Sequence, residues 1–353
     1  MKICYFGAYD PNYPRNYVIR RGLRKNGVKV IECQIPIGFN MGRRYIELYK
    51  KFHQTKKDFS AIIVAEFNHV VMPMAYYFAR KNRVPLIFDP FVSFYDSLVV
   101  DRKQFGAYSL KSKVCFLVDK TSMKLADCLL ADTEEHKRLL LSTFRVKKEV
   151  EVIPVGANEE LFYPQPKKEN RQFIVLFWGT FIPLHGIEHI LQAAKILEKN
   201  SEIRVDLVGD GQTFYEMRNL ARKLGLSNTN FLGFVDLGRL PTLMASADVC
   251  LGIFGNTPKT SRVVPHKVYS ALAMKKPVIT GDTPAVRRYF SHKRHLYLVS
   301  IASPEAIAEG VITLKEDADL RENIAQQGYK YFLENFSSKK IGEKIKNVCL
   351  KLL

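Results

Sequence analysis

Lys259 and Arg262 stand three residues apart in the run GNTPKTSRVVPHK (255–267), directly ahead of a helix whose expected first position is Pro265. The free backbone N–H groups and the dipole at such a helix start favour an anion. Arginine adds a planar fork that matches phosphate oxygens. His266 and Lys267 follow within the first helical turn, where either can reach the same ligand or face solvent. The plain alternative for Lys259 and Arg262 is a pair of solvated loop cations in a chain that carries many.

The elements that must position these residues are read from hydrophobic pattern. KICYFGAY (2–9), VKVIECQI, SAIIVAEF (60–67), VPLIFDPF (84–91), CLLADT (128–133) and EVIPVGA (151–157) are short apolar runs separated by helical patterns. Runs of this kind indicate parallel strands buried on both faces. The segment PQPKKENRQ (164–172) is rich in proline and charge and is expected to link two domains. The pattern then restarts with FIVLFWG (173–179), RVDLVGDG (204–211), NFLGFV (230–235), VCLGIF (249–254), PVITGD (277–282) and HLYLVS (295–300). The expectation is an α/β protein with Rossmann-like domains at 1–163 and 173–330. A C-terminal helical segment (331–353) is a candidate to return to the first domain. Ligands of open α/β sheets bind beyond the C-terminal strand ends. That rule selects Gly7, 67–69, 89–96, 179–186, 209–211, 233–235 and the 255–267 segment.

Composition limits the class. The chain has 353 residues, 47% apolar and 25% charged, with a formal charge of +19. Such an excess favours anionic partners: phosphates, acidic lipid surfaces or nucleic acid. Six isolated cysteines without a CxxC pair read as core residues of a reducing compartment. The apolar part of the N-terminus is too short for a signal peptide, and no apolar stretch reaches the length that spans a bilayer. The expected location is cytoplasmic, with a peripheral station on the inner face of the plasma membrane as the candidate membrane contact. Arg20, Arg21, Arg24 and Lys25 cluster on one helix, and Arg43, Arg44, Lys50, Lys51, Lys56 and Lys57 surround Tyr45, Tyr49 and Phe52. Cations among aromatics suit an anionic bilayer surface. A generally basic surface is the alternative, and no nucleic-acid module is present. The only DxD, Asp317-Ala318-Asp319, lies in a helical region and reads as a solvated face.

Four ordered stretches carry a family resemblance: VIPVGANEELFYP, FWGTFIPLHGIEHILQAAKIL, LVGDG with NFLGFVDLGRLPTLMASADVCL, and KVYSALAMKKPVITGD. The chain resembles the GT-B-fold retaining glycosyltransferases of the family-4, or group 1, type. That implies an α/β GT-B fold, two Rossmann-like domains facing a cleft, with the donor in the second domain. It diverges where the family carries two glutamates eight residues apart, since Arg262 and Ser270 hold those positions. Thr180 and His185 stand in the places of the family's diphosphate-binding arginine and lysine, ahead of Gly186. The resemblance suggests that the lost pair is made up at Lys259 and Arg262. His185 can donate to phosphate or simply cap the next helix. Ser270 can meet the ribose or fill a helix contact. Phe234 and Val235 can face the nucleobase or pack in the core. Gly179, Gly209 and Asp210 complete the expected donor site.

The resemblance places the acceptor on the first domain. Gly7, Tyr9, Arg15 and Asn16 lie in or beside the first loop, and Asp89 and Asp96 follow the fourth strand. Gly7 would let backbone approach a phosphate, and Asp89 would contact the acceptor, with a cap ahead of Pro90 as its alternative. The implied activity is metal-independent hexosyl transfer, with retention, from a UDP- or GDP-type sugar to a glycan or lipid-linked acceptor. Asp89, Arg262 and Lys259 are the expected catalytic groups, and no cofactor beyond the nucleotide sugar is implied. A catalytically inactive GT-B binding subunit is the alternative. A nicotinamide oxidoreductase lacks its glycine fingerprint and the acid about 20 residues on.

Overall fold

The computed structural model describes residues 1–55, 58–166 and 170–353. The chain divides into two units, unit 1 being Met1–Gly156 with Phe336–Leu353 and unit 2 being Ala157–Asn335. The crossing therefore comes at 156/157, ahead of the proline- and charge-rich segment expected to link the domains. Lys167, Lys168 and Glu169 of that segment lie outside the described residues, as do Lys56 and Lys57.

Unit 1 alternates strands and helices: β1 (Lys2–Ala8), α1 (Pro14–Lys25), β2 (Lys29–Ile35), α2 (Met41–Gln54), β3 (Ala61–Val64), α3 (Met72–Asn82) and β4 (Leu86–Phe88). After β4 come a π-helical segment (Tyr95–Asp101), α4 (Leu110–Leu125), β5 (Cys128–Ala131), α5 (Glu134–Thr143) and β6 (Glu149–Val152). The strands pair in parallel in the order β2-β1-β3-β4-β5-β6. The two-residue period of β1 sends its side chains to two cores. Cys4 and Phe6 meet Phe52, Phe78 and Met123 from α2, α3 and α4. Ile3 and Tyr5 meet Ile19 and Leu23 of α1 together with Ile341 and Ile345 from the end of the chain.

Unit 2 repeats the design: β7 (Phe173–Trp178), α6 (Ile187–Leu197), β8 (Ile203–Val208), α7 (Phe214–Lys223), β9 (Thr229–Gly233), α8 (Leu240–Ser246) and β10 (Val249–Leu251). Then follow α9 (His266–Ala273), β11 (Val278–Gly281), α10 (Pro284–Tyr289), β12 (Tyr297–Val299), α11 (Pro304–Glu316) and α12 (Ala318–Asn335). Its parallel order is β12-β11-β10-β7-β8-β9, so β7 is a first strand flanked by neighbours on both sides. The last helix, α13 (Ser338–Leu352), belongs to unit 1 and packs on α1. The Asn26 carboxamide donates to the Lys339 carbonyl at 2.8 Å, and the Lys346 ammonium donates to the Asn26 carbonyl at 3.0 Å.

The expected basic cluster of α1 is not a free patch. Arg20 is buried and pairs with Glu32 at 2.7 Å, and Arg24 also pairs with Glu32. On α2, Phe52 is buried and stacked on Phe78 at 3.8 Å between ring centroids, while the Tyr45 hydroxyl donates to the Val70 carbonyl. Of the aromatics expected among its cations, Tyr49 is the exposed one.

Candidate active site

In unit 2 the chain leaves β7 for β8 on one side and later returns to β10 on the other, which makes the C-terminal end of β7 the switch point of the sheet. A cavity of about 220 Å³ opens there. Its walls are Trp178, Gly179 and Thr180 after β7, Val208, Gly209 and Asp210 after β8, and Phe234, Val235 and Leu240 beyond β9. The two loops meet through bare backbone. Gly209 holds φ at +129°, and a Cβ there would lie 2.0 Å from the Gly179 carbonyl oxygen. The turn Pro183–His185 follows Thr180. Its His185 and Leu184 carbonyls accept from the Phe254 and Gly255 N–H groups at 3.1 and 3.3 Å, which ties it to the chain leaving β10. Gly186, at φ +63°, then turns the chain into α6.

Cations gather behind this wall. Lys267, in the first turn of α9, is 1% exposed, and its ammonium has no hydrogen-bond partner among the described residues. It rests 3.8 Å from the centroid of the Phe177 ring, and a Cβ on Gly179 would come within 2.9 Å of it. The absent side chain at Gly179 is what leaves room for the amine. Burial pushes Lys267 well below the usual lysine range. His185 hydrogen-bonds the Thr180 carbonyl through Nδ1. A carbonyl only accepts, so Nδ1 carries the proton, and Nε2 becomes a donor only when the ring is charged. Burial first, and then the Lys267 charge, hold His185 well below its ordinary value, with His266 and Lys259 adding to the effect. His266 is pushed down to about 4, by burial and then by Lys267. Trp178 contributes a buried indole N–H that also has no partner. Buried donors without acceptors, and imidazoles held below their ordinary range chiefly by burial, are what an anion would resolve.

A sequence profile of the glycosyl transferases group 1 family matches residues 158–331, nearly all of unit 2. Unit 2 thus carries the sequence profile of the glycosyl transferases group 1 family. A curated relative, an uncharacterized glycosyltransferase of Methanocaldococcus jannaschii, is 23% identical over 255 residues, covering 69% of this chain and 64% of the relative. The crystal structure of Anabaena HepE in complex with UDP and glucose aligns over all of both chains at a TM-score of 0.72 and 17% identity. The sucrose-phosphate synthase of Thermosynechococcus elongatus aligns over 100% of this chain and 99% of its own at a TM-score of 0.76 and 16% identity. At these identities the likeness is one of fold, and the two Rossmann-like units are those of the GT-B fold. The chain spans between 44% and 64% of the length of the curated relatives it matches.

Within this group 1 unit the sequence-selected donor residues are distributed unevenly. Gly179, Thr180, Gly209, Asp210, Phe234 and Val235 all line the cavity. The Phe234 ring is 79% exposed, which removes core packing as its role. Lys259 is buried, and its charge acts on the His185 ring. Arg262 closes the short turn Thr260–Arg262 half-buried. Ser270 is 1% exposed on the buried face of α9 and is placed as a packing residue. The expected relocation of charge to Lys259 and Arg262 thus shifts. Lys267, the second residue of α9, lies against Gly179 of the β7 loop, and Lys259 acts on His185 of the same loop.

The group 1 resemblance named acceptor residues that the structure turns inward. Arg15 and Asp89 have no exposed surface and pair with each other at 2.7 and 3.2 Å, while Arg15 also donates to the Ile153 and Pro154 carbonyls. Asn16 accepts from the Tyr5 hydroxyl at 2.9 Å and donates to the Asp10 carbonyl and to Glu66. Tyr9 is 2% exposed, with its hydroxyl donating to Glu32 at 3.2 Å. Asp96 is buried in the π-helical segment, where its N–H donates to the Ser93 hydroxyl. Gly7 does not present backbone to a phosphate, because the Asn68 carboxamide fills the space where its Cβ would be. That carboxamide accepts from the Ala8 N–H and donates to the Ala8 and Glu66 carbonyls. At Tyr9, Arg15, Asn16 and Asp89 a polar side chain read as facing outward serves to tie its loop down.

Several residues escaped the sequence reading. Trp178 was legible only as the apolar end of a strand. Glu66, just beyond β3, keeps one buried carboxyl oxygen without a partner, and burial first and then Asp89 hold it well above the usual carboxylate range. Asp132 and His136 are hydrogen-bonded across the start of α5, four residues apart, a spacing that could have revealed them. Among the described residues no group of three metal-ligating side chains gathers, and no helix is long and apolar enough to cross a membrane.

Proposed function

We propose that this protein transfers a sugar from a nucleoside diphosphate sugar to the hydroxyl of a glycan or lipid-linked acceptor, with retention at the transferred carbon. The observation that carries the reading is the buried, hydrogen-bond-free ammonium of Lys267 against the bare backbone of Gly179. HepE, similar in fold, was crystallised with UDP and glucose.

In this reading the diphosphate lies at Gly179 and Thr180, and Lys267 and protonated His185 supply its countercharge, with Lys259 behind them. Phe234 stacks on the base, Val235 meets its edge through backbone, and Asp210 accepts from a ribose hydroxyl. Arg262 acts as an outer phosphate contact. When the C1–O bond to the diphosphate breaks, the negative charge develops on oxygens already facing these cations. The acceptor oxygen bonds to C1 on the same face, and its proton passes to the leaving diphosphate. On unit 1, the free carboxyl oxygen of Glu66 takes the acceptor contact first expected of Asp89. Countercharge comes from side chains, so transfer continues in excess EDTA.

The test is a thermal-shift screen with UDP, GDP and their sugars, followed by release of nucleoside diphosphate from the stabilising donor. Stabilisation by one nucleotide class, and its loss in Lys267→Met, supports the reading. Absence of stabilisation by every nucleoside diphosphate overturns it. Stabilisation without turnover, over a panel of glycan and lipid-linked acceptors, would make the protein a GT-B binding subunit.

A further inference from the structure

Helix α4 carries apolar side chains on two faces, with Phe116, Met123 and Leu125 packed on the core. Its inward face carries Ser112, Asp119 and Ser122 beside Met123. Asp119 is held there by the Ser93 hydroxyl at 2.7 Å and by the Phe94 and Tyr95 N–H groups at 3.0 and 2.8 Å. The outward face carries Leu110, Val114 and Leu117, which are 77%, 51% and 58% exposed, and Tyr108 just before the helix is 95% exposed. Spacings of four and three residues put the three aliphatic side chains on one stripe. A surface helix normally turns that stripe to the core, so an aliphatic stripe facing outward calls for a partner.

The charge around the stripe is of one sign. Lys111, Lys113, Lys120 and Lys124 flank it, and the one acid of α4 is the buried Asp119. The neighbouring helices over the same core continue the pattern. On α3, Arg80 and Lys81 lie over the rings of Tyr76 and Tyr77, at 5.0 and 5.8 Å. Tyr77 is 55% exposed. On α2, Ile46 and Tyr49 are exposed among Arg43, Lys50 and Lys51, with Glu47 the one acid of that helix.

We propose that the outer face of the α2–α3–α4 layer docks on an anionic lipid bilayer, with Leu110, Val114 and Leu117 entering the boundary between headgroups and acyl chains. Aliphatic side chains inserted below a ring of lysines match that boundary, where apolar burial and attraction to acidic headgroups act together. A second copy of the chain would bring two faces of the same sign together. A nucleic acid would meet the lysines and leave the aliphatic stripe in water. The docking surface keeps the α2 group that the sequence suggested and exchanges the α1 group, whose Arg20 and Arg24 pair with Glu32, for α4. It is independent of the nucleotide-sugar reading, because no residue of the unit 2 cavity takes part.

The experiment is co-sedimentation of the full chain with vesicles of phosphatidylcholine alone and of phosphatidylcholine with 30% phosphatidylglycerol. Wild-type protein is expected to sediment with the anionic vesicles, and at least tenfold more weakly with the neutral ones. Leu110→Ser/Leu117→Ser and Lys111→Glu/Lys113→Glu should each weaken anionic binding about tenfold or more. All four positions are exposed, so melting temperature and stabilisation by UDP or GDP should stay at wild-type values. No binding to anionic vesicles overturns the proposal, as does binding that neither double variant changes. A dimer in solution that Leu110→Ser/Leu117→Ser dissociates would assign the face to a second copy instead. Loss of nucleotide stabilisation in wild type would count against the unit 2 reading and leave vesicle binding as it stands.

Discussion

The two units are both six-stranded parallel α/β sheets, ordered β2-β1-β3-β4-β5-β6 and β12-β11-β10-β7-β8-β9, and they differ in how they treat polar groups at their strand ends. In unit 1 the cation meets its anion: Arg15 lies on Asp89, and both are wholly buried. In unit 2 the cation at the equivalent end of the first strand, Lys267, meets the face of Phe177 and no carboxylate. Among the described residues, the loop after β3 leaves one Glu66 carboxyl oxygen and the His69 ring nitrogens without a hydrogen bond, while beside β7 the Lys267 ammonium and the Trp178 indole N–H lack one. Burying an unpaired donor costs free energy that folding alone does not recover. Under the nucleotide-sugar proposal, that donor is satisfied by a ligand of opposite polarity. Two six-stranded parallel sheets therefore differ at the ends of their first strands, one closed by the Arg15–Asp89 pair and one leaving the Lys267 ammonium without a hydrogen bond among the described residues.

The contrast breaks most visibly at the buried pair. Arg15→Met or Asp89→Asn leaves one charge buried without its partner and should destabilise unit 1 by about 3–5 kcal/mol. Urea denaturation checks this, and the double variant Arg15→Met/Asp89→Leu should cost less than the sum of the singles. If either single variant melts like wild type while turnover collapses, the pair is catalytic rather than structural.

Lys267→Met inverts that outcome. Removing an unpaired buried amine should leave the melting temperature unchanged or raise it. Nucleoside diphosphate affinity should fall about 100-fold, the order of about 2–3 kcal/mol for a charge-assisted contact. A nucleotide titration followed by thermal shift reads both. Equal affinity in variant and wild type would dissolve the distinction between the units.

A weaker but more diagnostic effect is pH dependence. In the free protein Lys267, His185 and His266 are all held below their ordinary values. A bound diphosphate raises them, so binding takes up protons and tightens as pH falls. Affinity should increase up to about tenfold per pH unit and per linked proton between pH 8 and pH 6. Calorimetry in two buffers of different ionisation enthalpy measures the uptake, and His185→Gln should reduce it. Proton release on binding would show that the cluster is already charged. The smallest effect belongs to Phe234→Ala: about fivefold in nucleotide affinity, at the low end of base stacking, with no change in stability because the ring is exposed.

Much of this was legible in the sequence. The alternation of apolar runs and helical patterns located two parallel sheets. The group 1 stretches placed Gly179, Thr180, Gly209, Asp210, Phe234 and Val235, which line one cavity. The reading failed where side chains had to be aimed. Tyr9, Arg15, Asn16 and Asp89 were found at strand ends, as the rule for α/β sheets directs, yet sequence position does not reveal whether a polar group faces solvent or a partner 74 residues away, as Arg15 and Asp89 are. Lys267 was visible as one of four basic residues between 259 and 267, and nothing in that spacing ranks them.

The sequence by itself determined the fold class and the neighbourhood of the donor loops, because hydrophobic period and glycine placement act locally. Only the tertiary structure decided which charged groups are paired and which are buried without a hydrogen bond among the described residues. That depends on distant chain segments meeting: Asp89 reaching Arg15, Asn68 filling the space at Gly7, and α9 carrying Lys267 over β7. It also decided that α4 turns its aliphatic stripe outward, since the face a helix buries is set by what packs against it.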